Sequence, residues 1–318
     1  MTDTEHIADV SPGELSTRTA PAGRRPGGPE PALRCLVTND DGIASPGIAL
    51  LARVALDAGL DVVVAAPLRD TSGAGASITA VEEDGRFIVQ RCPLPGLAGC
   101  DTYGVGGLPA FIALTGCRGA FGPIPDIVLS GINHGPNTGF AVLHSGTVGA
   151  ALTASTHGAR AMAVSLHSGA HIRIPHHAGT PHWETAAEVA RQVLPRLLEA
   201  PPRTVLNVNV PNVPWAEVRG LHPARLAAFG AVQFNVVEKG EGYAKIGLSE
   251  MDAELEPGTD AALVAEGWAT VTALRAVCQV DDLDLEVPPT PTGSSNSAGT
   301  TDSAGPTDRA GRQRGPSG

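Results

Sequence analysis

The sequence predicts an α/β protein built on a mainly parallel sheet with helices on both faces. Three observations predict it. Short apolar runs of strand length recur along the chain. Segments with helical spacing separate them. Clusters of Asn, Asp, Gly and Ser follow several of the runs. Ligands in such sheets sit there, beyond the carboxyl ends of the strands.

The elements follow in order. Residues 33–37 (Leu-Arg-Cys-Leu-Val) are the first strand, broken by Asn39-Asp40-Asp41-Gly42. Ser45 and Pro46 read as N-cap and first helical residue. That helix carries Ile48, Leu51, Val54 and Ala55 and stops at Gly59, a residue suited to a helix C-terminus. Residues 61–66 are a second buried strand. Residues 127–129 are a third, ending in Ser130-Gly131-Ile132-Asn133. A helix is expected from about Thr147 to Thr156, a strand over 161–165, a helix over 183–198 and a strand over 205–210. The segment from about 229 to 256 alternates apolar and polar residues around Gly240-Glu241-Gly242 and reads as a β-hairpin arm. Residues 260–267 are a short helix and 269–274 a strand. Residues 1–31 and 288–318 are rich in Pro, Gly, Ser and Thr without hydrophobic period, so both are expected to be disordered tails around a folded part at 32–287.

The chain has 318 residues, 42% of them hydrophobic and 17% charged, as a soluble globular protein has. No stretch reaches the roughly 18 apolar residues that span a bilayer. Residues 1–31 lack the apolar core of a signal peptide. A cytoplasmic location without membrane partners is the expectation. The formal net charge of -11 points away from nucleic acid, whose binders carry a basic face. Cys35, Cys92, Cys100, Cys117 and Cys278 are odd in number and scattered, which argues against a disulfide framework or a structural zinc site. Five histidines between His167 and His182 have irregular spacing among Pro and Gly and read as an exposed loop.

Three polar clusters carry the chemistry. In Thr38-Asn39-Asp40-Asp41-Gly42, two adjacent carboxylates are costly to hold together unless a cation neutralises them. Hard oxygen ligands suit magnesium, manganese or calcium; the same residues also suit a turn leading into a helix. The second cluster, 71–79, exposes backbone N–H groups and hydroxyls that could face an anion or metal, or is a surface loop. The third comprises 130–137 (Ser-Gly-Ile-Asn-His-Gly-Pro-Asn) and His144-Ser145-Gly146-Thr147. It puts Asn133 at a strand end and Ser145, Gly146 and Thr147 at a helix N-terminus, where free N–H groups and the helix dipole favour phosphate.

In order and spacing, the runs 37–43, 46–48, 66–67, 72–74, 77–79, 130–133, 135–137 and 145–148 resemble the SurE survival-protein nucleotidases. Residues 207–211, Thr259-Asp260, 270–272 and Leu274-Arg275 match later blocks of that family. The resemblance covers about 33–275. It implies a Rossmann-like three-layer core, a protruding hairpin, and swapped C-terminal elements that build a homodimer or homotetramer. It implies hydrolysis of nucleoside 5′- and 3′-monophosphates with one divalent metal ion, Mg2+ or Mn2+. The implied metal ligands are Asp40, Asp41, Ser72 and Asn133. The implied substrate contacts are Asn39, Gly42, Asn137, Ser145, Gly146 and Thr147, with Asp40, Asp41 and Asn137 catalytic. Three places depart from the family pattern: Gly139-Phe140-Ala141, where acidic residues are frequent, His144 for a Tyr, and Thr153-Ala154 for a Glu-Gly pair.

A covalent role for Asp40 would want an Asp-x-Asp-x-Thr pattern, absent here. The alternative of a non-catalytic nucleotide-binding module keeps the phosphate cradle without turnover. A dinucleotide oxidoreductase fits poorly, because Gly104-Val105-Gly106-Gly107 lacks GxGxxG spacing.

Overall fold

The computed structural model describes residues 32–167, 180–228, 232–240, 242–250 and 255–279. The expected tails and most of the histidine-rich stretch therefore lie outside the described residues. The described residues up to Cys278 group in one compact unit.

Its elements in chain order are β1 (Arg34–Thr38), α1 (Pro46–Asp57), β2 (Asp61–Pro67), β3 (Glu82–Glu83), β4 (Arg86–Phe87), β5 (Val89–Arg91), β6 (Asp101–Val105), α2 (Pro109–Gly116) and β7 (Ile127–His134). Then come α3 (Gly146–Thr156), β8 (Arg160–His167), α4 (Trp183–Glu199), β9 (Val205–Pro211), β10 (Leu221–Pro223), β11 (Val232–Gly240), β12 (Tyr243–Glu250), α5 (Asp260–Ala265) and β13 (Ala269–Leu274). Nine strands form one sheet in the order β10-β13-β9-β8-β7-β1-β2-β6-β5. From β9 to β6 every neighbour is parallel, while β13 on β9 and β5 on β6 are antiparallel.

The helices cover both faces, because the sheet buries both. In β1, Cys35 and Val37 face α1 and α4, and Leu36 faces α2 and α3. Ile48, Leu51, Val193 and Leu197 fill one layer; Ile112, Val148, Ala151 and Ala154 fill the other. Each such aliphatic side chain contributes about 1.5–3 kcal/mol on burial. The three-layer α/β architecture is as the sequence predicts. β11 and β12 pair antiparallel as a hairpin.

Two features differ from the sequence reading. Ser130, Gly131, Ile132 and Asn133 do not follow β7 but belong to it, with a register shift between Gly131 and Asn133. A bulge lets polar residues stay on the ladder while re-aiming their side chains. The region 80–117, left without assignment from sequence, supplies β3 to β6 and α2. Its strands are short, and α2 is only 8 residues, too brief for either period to stand out.

Candidate active site

The carboxyl ends of β1, β2 and β7 lie side by side, because β1 pairs with both of the others. After β1, Asn39 closes a turn on Gly42: its Nδ2 donates to the Gly42 carbonyl at 3.0 Å, and its Oδ1 accepts from the Gly42 N–H at 3.2 Å. Gly42 has φ +96, and a Cβ there would stand 3.0 Å from the Arg69 carbonyl carbon. Both polar ends of Asn39 are spent and the residue is fully buried. Asn39 and Gly42 therefore shape the turn that carries the two aspartates.

The turn presents Asp40 and Asp41. The Asp40 carbonyl accepts from the Thr71 N–H at 2.8 Å and the Thr71 hydroxyl at 3.1 Å, which joins the loop after β2 to the site. The Asp40 carboxylate accepts from the Thr147 hydroxyl and the Thr147 N–H at the start of α3. Gly146 makes this approach possible, since a Cβ there would lie 2.9 Å from Asp40 Oδ2. Burial nevertheless pushes Asp40 above the ordinary carboxylate range.

Asp41 is pushed up to about 7, first by burial and next by the neighbouring Asp40 charge. The His134 N–H at the end of β7 donates to it and partly offsets this; the more distant Asp70 raises it further. Asp41 Oδ2 is buried and has no hydrogen-bond partner among the described residues. A buried carboxylate oxygen left bare beside a second carboxylate is what a cation would satisfy.

The remaining expected ligands are sequence neighbours of residues bonded to this pair: Asn133 precedes His134, and Ser72 follows Thr71. Asn133 is 9% exposed, and its Nδ2 donates to the Gly135 carbonyl at 2.8 Å, leaving its Oδ1 as the open donor atom. Ser72 directly follows the Thr71 that holds Asp40. Its hydroxyl donates to Asp70 Oδ1 at 2.6 Å, so its oxygen lone pairs stay open. The Ser72 loop rests on α3, where a Cβ on Gly149 would stand 2.7 Å from Gly75. Ser145 caps α3 by accepting from the Val148 N–H at 3.0 Å.

Asn137 is fixed from the sheet. Its N–H donates to Asn209 Oδ1 at 2.8 Å, its carbonyl accepts from Asn207 and Asn209, and its Nδ2 donates to the Ser165 hydroxyl at 2.8 Å. Sequence reasoning missed Asp70, Ser165 and this use of Asn207 and Asn209. The asparagine pair had a readable signal: two amides at a spacing of two in an otherwise apolar strand. Among the described residues no group of three His, Cys, Asp or Glu side chains is arranged to hold a metal. A cation here would rely on two carboxylates and neutral oxygens.

The family model described as Survival protein SurE matches residues 35–231. The chain belongs to the SurE family. It is 38% identical over 249 residues to 5′-nucleotidase SurE of Pseudomonas entomophila (strain L48), covering 76% of this chain and 92% of that protein. It is 36% identical over 255 residues to 5′/3′-nucleotidase SurE of Shigella dysenteriae serotype 1 (strain Sd197), covering 76% and 90%. The crystal structure of the SurE protein from Aquifex aeolicus superposes with a TM-score of 0.61 at 33% identity, over 76% of this chain and 93% of that one. Among the described residues no helix is long and apolar enough to cross a membrane.

Proposed function

We propose that this SurE-family protein is a nucleotidase. It hydrolyses nucleoside 5′-monophosphates, and 3′-monophosphates as well, to nucleoside and phosphate with one divalent ion, Mg2+ or Mn2+. The observation that carries the metal assignment is the bare, buried Oδ2 of Asp41 beside Asp40. The fit is chemical: Asp40, Asp41, Ser72 and Asn133 offer only oxygen donors, which suits a hard cation. The names of the relatives support the substrate class.

When bound, the cation supplies charge neutralisation at the phosphoryl group and acidifies water. The protein's own residues do the rest. The first turn of α3 meets the phosphate with its dipole, the Gly146 N–H and the Ser145 hydroxyl, while Thr147, whose N–H and hydroxyl both donate to Asp40, holds that carboxylate beside it. Asn137, held by Ser165, Asn207 and Asn209, presents its carboxamide without having to reorganise as charge develops. The buried walls around Asp40 keep bulk water away and strengthen these interactions. The catalytic group is thus Asp40, Asp41 and Asn137. The family resemblance further supports a homodimer or homotetramer, which light scattering on the purified protein checks.

A phosphate-release assay with AMP and GMP in the presence of manganese tests the reading. Turnover is expected from the native chain, and Asp40→Asn should abolish it while thermal unfolding stays cooperative. Near-native turnover in that variant would refute the assignment. Nucleotide binding without any phosphate release would favour the non-catalytic module.

A further inference from the structure

A cavity of about 420 Å3 shares Asp70 and Thr71 with the carboxylate site. Thr71 is the residue hydrogen-bonded to the Asp40 carbonyl, so the cavity shares a lining residue with the loop that holds Asp40. Its volume falls in the range of about 300–1,000 Å3 usual for small-molecule pockets. Leu68, Ile88, Val105 and Leu108 line it. Their segment is tied down by its backbone: Leu68 N–H to the Val105 carbonyl at 3.0 Å, Gly106 N–H to Ile88 at 2.9 Å, and Leu108 N–H to Thr79 at 3.0 Å. With these polar groups spent, the wall offers mainly apolar surface, and Ile88 keeps 44% of its surface exposed. An apolar recess of this kind suits a flat heterocycle better than a hydrated sugar or a second phosphate.

Arg69 stands at the edge of the recess, exposed, and its guanidinium has no hydrogen-bond or ion-pair partner among the described residues. A guanidinium is a planar fork of donors and offers no acceptor. Guanine carries two adjacent acceptors, O6 and N7, on one edge. Adenine carries one acceptor and one donor on the same edge. We propose that this cavity holds the base of the nucleotide, with Arg69 donating to the O6 and N7 edge of guanine, so that guanosine monophosphates are the preferred substrates. The inference rests on the nucleotidase reading and names the substrate class within it.

The test compares kcat/KM for GMP, AMP and ribose 5-phosphate, which lacks a base, in the manganese-loaded native protein, in Arg69→Ala and in Thr79→Trp. Thr79 is an exposed residue of the cavity lining, so a bulky side chain there fills the recess at little cost to folding. The native protein should prefer GMP over AMP. Arg69→Ala should lower the ratio of GMP to ribose 5-phosphate by about tenfold or more, the discrimination a bidentate contact supplies. It should also bring GMP and AMP together. Thr79→Trp should lower the ratio of either nucleotide to ribose 5-phosphate. Parallel losses on GMP and ribose 5-phosphate in Arg69→Ala would assign Arg69 to the phosphate and overturn the proposal, as would ratios unchanged in both variants. Guanosine itself, titrated by calorimetry, separates the two readings. Binding that Arg69→Ala weakens supports the cavity even if no ester is hydrolysed. Turnover of GMP without guanosine binding or ratio changes leaves the nucleotidase standing and removes the base site.

Discussion

Asp41 accepts the His134 N–H, while its buried Oδ2 has no partner among the described residues. That single atom has a measurable consequence for the metal-free protein. Its pKa rises from 3.8 to about 7 on folding, so the folded state holds a proton that the unfolded chain releases earlier. Stability from this group is fully present below the unfolded pKa and is lost as pH climbs through about 7. Asp40 shifts in the same direction. The metal-free protein should therefore melt at a lower temperature at pH 8 than at pH 5, and Asp41→Asn should flatten that slope. Manganese should raise the melting temperature more at pH 8, where the carboxylates are free to bind it. Differential scanning fluorimetry across pH, with and without manganese, measures both effects; a manganese shift of equal size at pH 5 and 8 would contradict them.

At the scale of elements, the site depends on how closely α3 meets the loops beside it. Gly146 lets the helix start touch Asp40, and Gly149 lets the Ser72 loop lie on the helix. A Cβ at Gly149 would come 2.7 Å from Gly75 carbonyl atoms and 2.8 Å from the Ala76 nitrogen, all backbone that has to move as a unit. Gly149→Ala should displace the loop, and a shift of about 1 Å at a reacting centre can cost about 10²-fold in rate. We expect more than a tenfold loss of phosphate release and a higher manganese requirement, against an overpacking cost of about 1–3 kcal/mol in stability. Native activity in this variant would show that the loop does not need its present seat. Most of these elements could be read beforehand. The helix at 46–57 opens on Pro46 and that at 183–199 carries an apolar stripe, β2 is apolar after Asp61, and β9 is apolar but for Asn207 and Asn209. What escaped were the short elements between 80 and 117 and the run of β7 through its own motif, since Ser, Gly and Asn in sequence look like a strand's end.

Across the whole molecule, Asp260 joins parts of the chain far apart in sequence. It is fully buried, and its carboxylate accepts from the N–H groups of Gly139, Ala227 and Ala261, at 2.9, 2.9 and 2.8 Å. Gly139 opens the 3-10 turn that leads to Ser145, and the Phe140 N–H bonds the Ala227 carbonyl at 3.1 Å. Helix α5 thus anchors the approach to the proposed phosphate cradle. Asp260→Ala orphans three buried donors, each costing about 1–3 kcal/mol, so urea unfolding should show a loss of about 3 kcal/mol or more. Asp260→Asn turns one acceptor into a donor facing an N–H, so it should fall between the two. An alanine variant as stable as the native chain would contradict this anchoring role.

By itself the sequence determined the α/β class, the order of most strands and helices, and the three clusters at 38–42, 71–79 and 130–147. Hydrophobic period and turn chemistry are local, so a single chain displays them in full. Only the tertiary structure decided which of those polar residues meet. Pairing β1 between β2 and β7 brings Asp40, Thr71, His134 and Thr147 into one place. The same packing turned Asn39 inward on Gly42 and enlisted Asn207, Asn209 and Ser165 behind Asn137. The adjacency of the two aspartates is local, but their burial is set by residues distant along the chain, and burial is the largest cause that lifts both carboxyls.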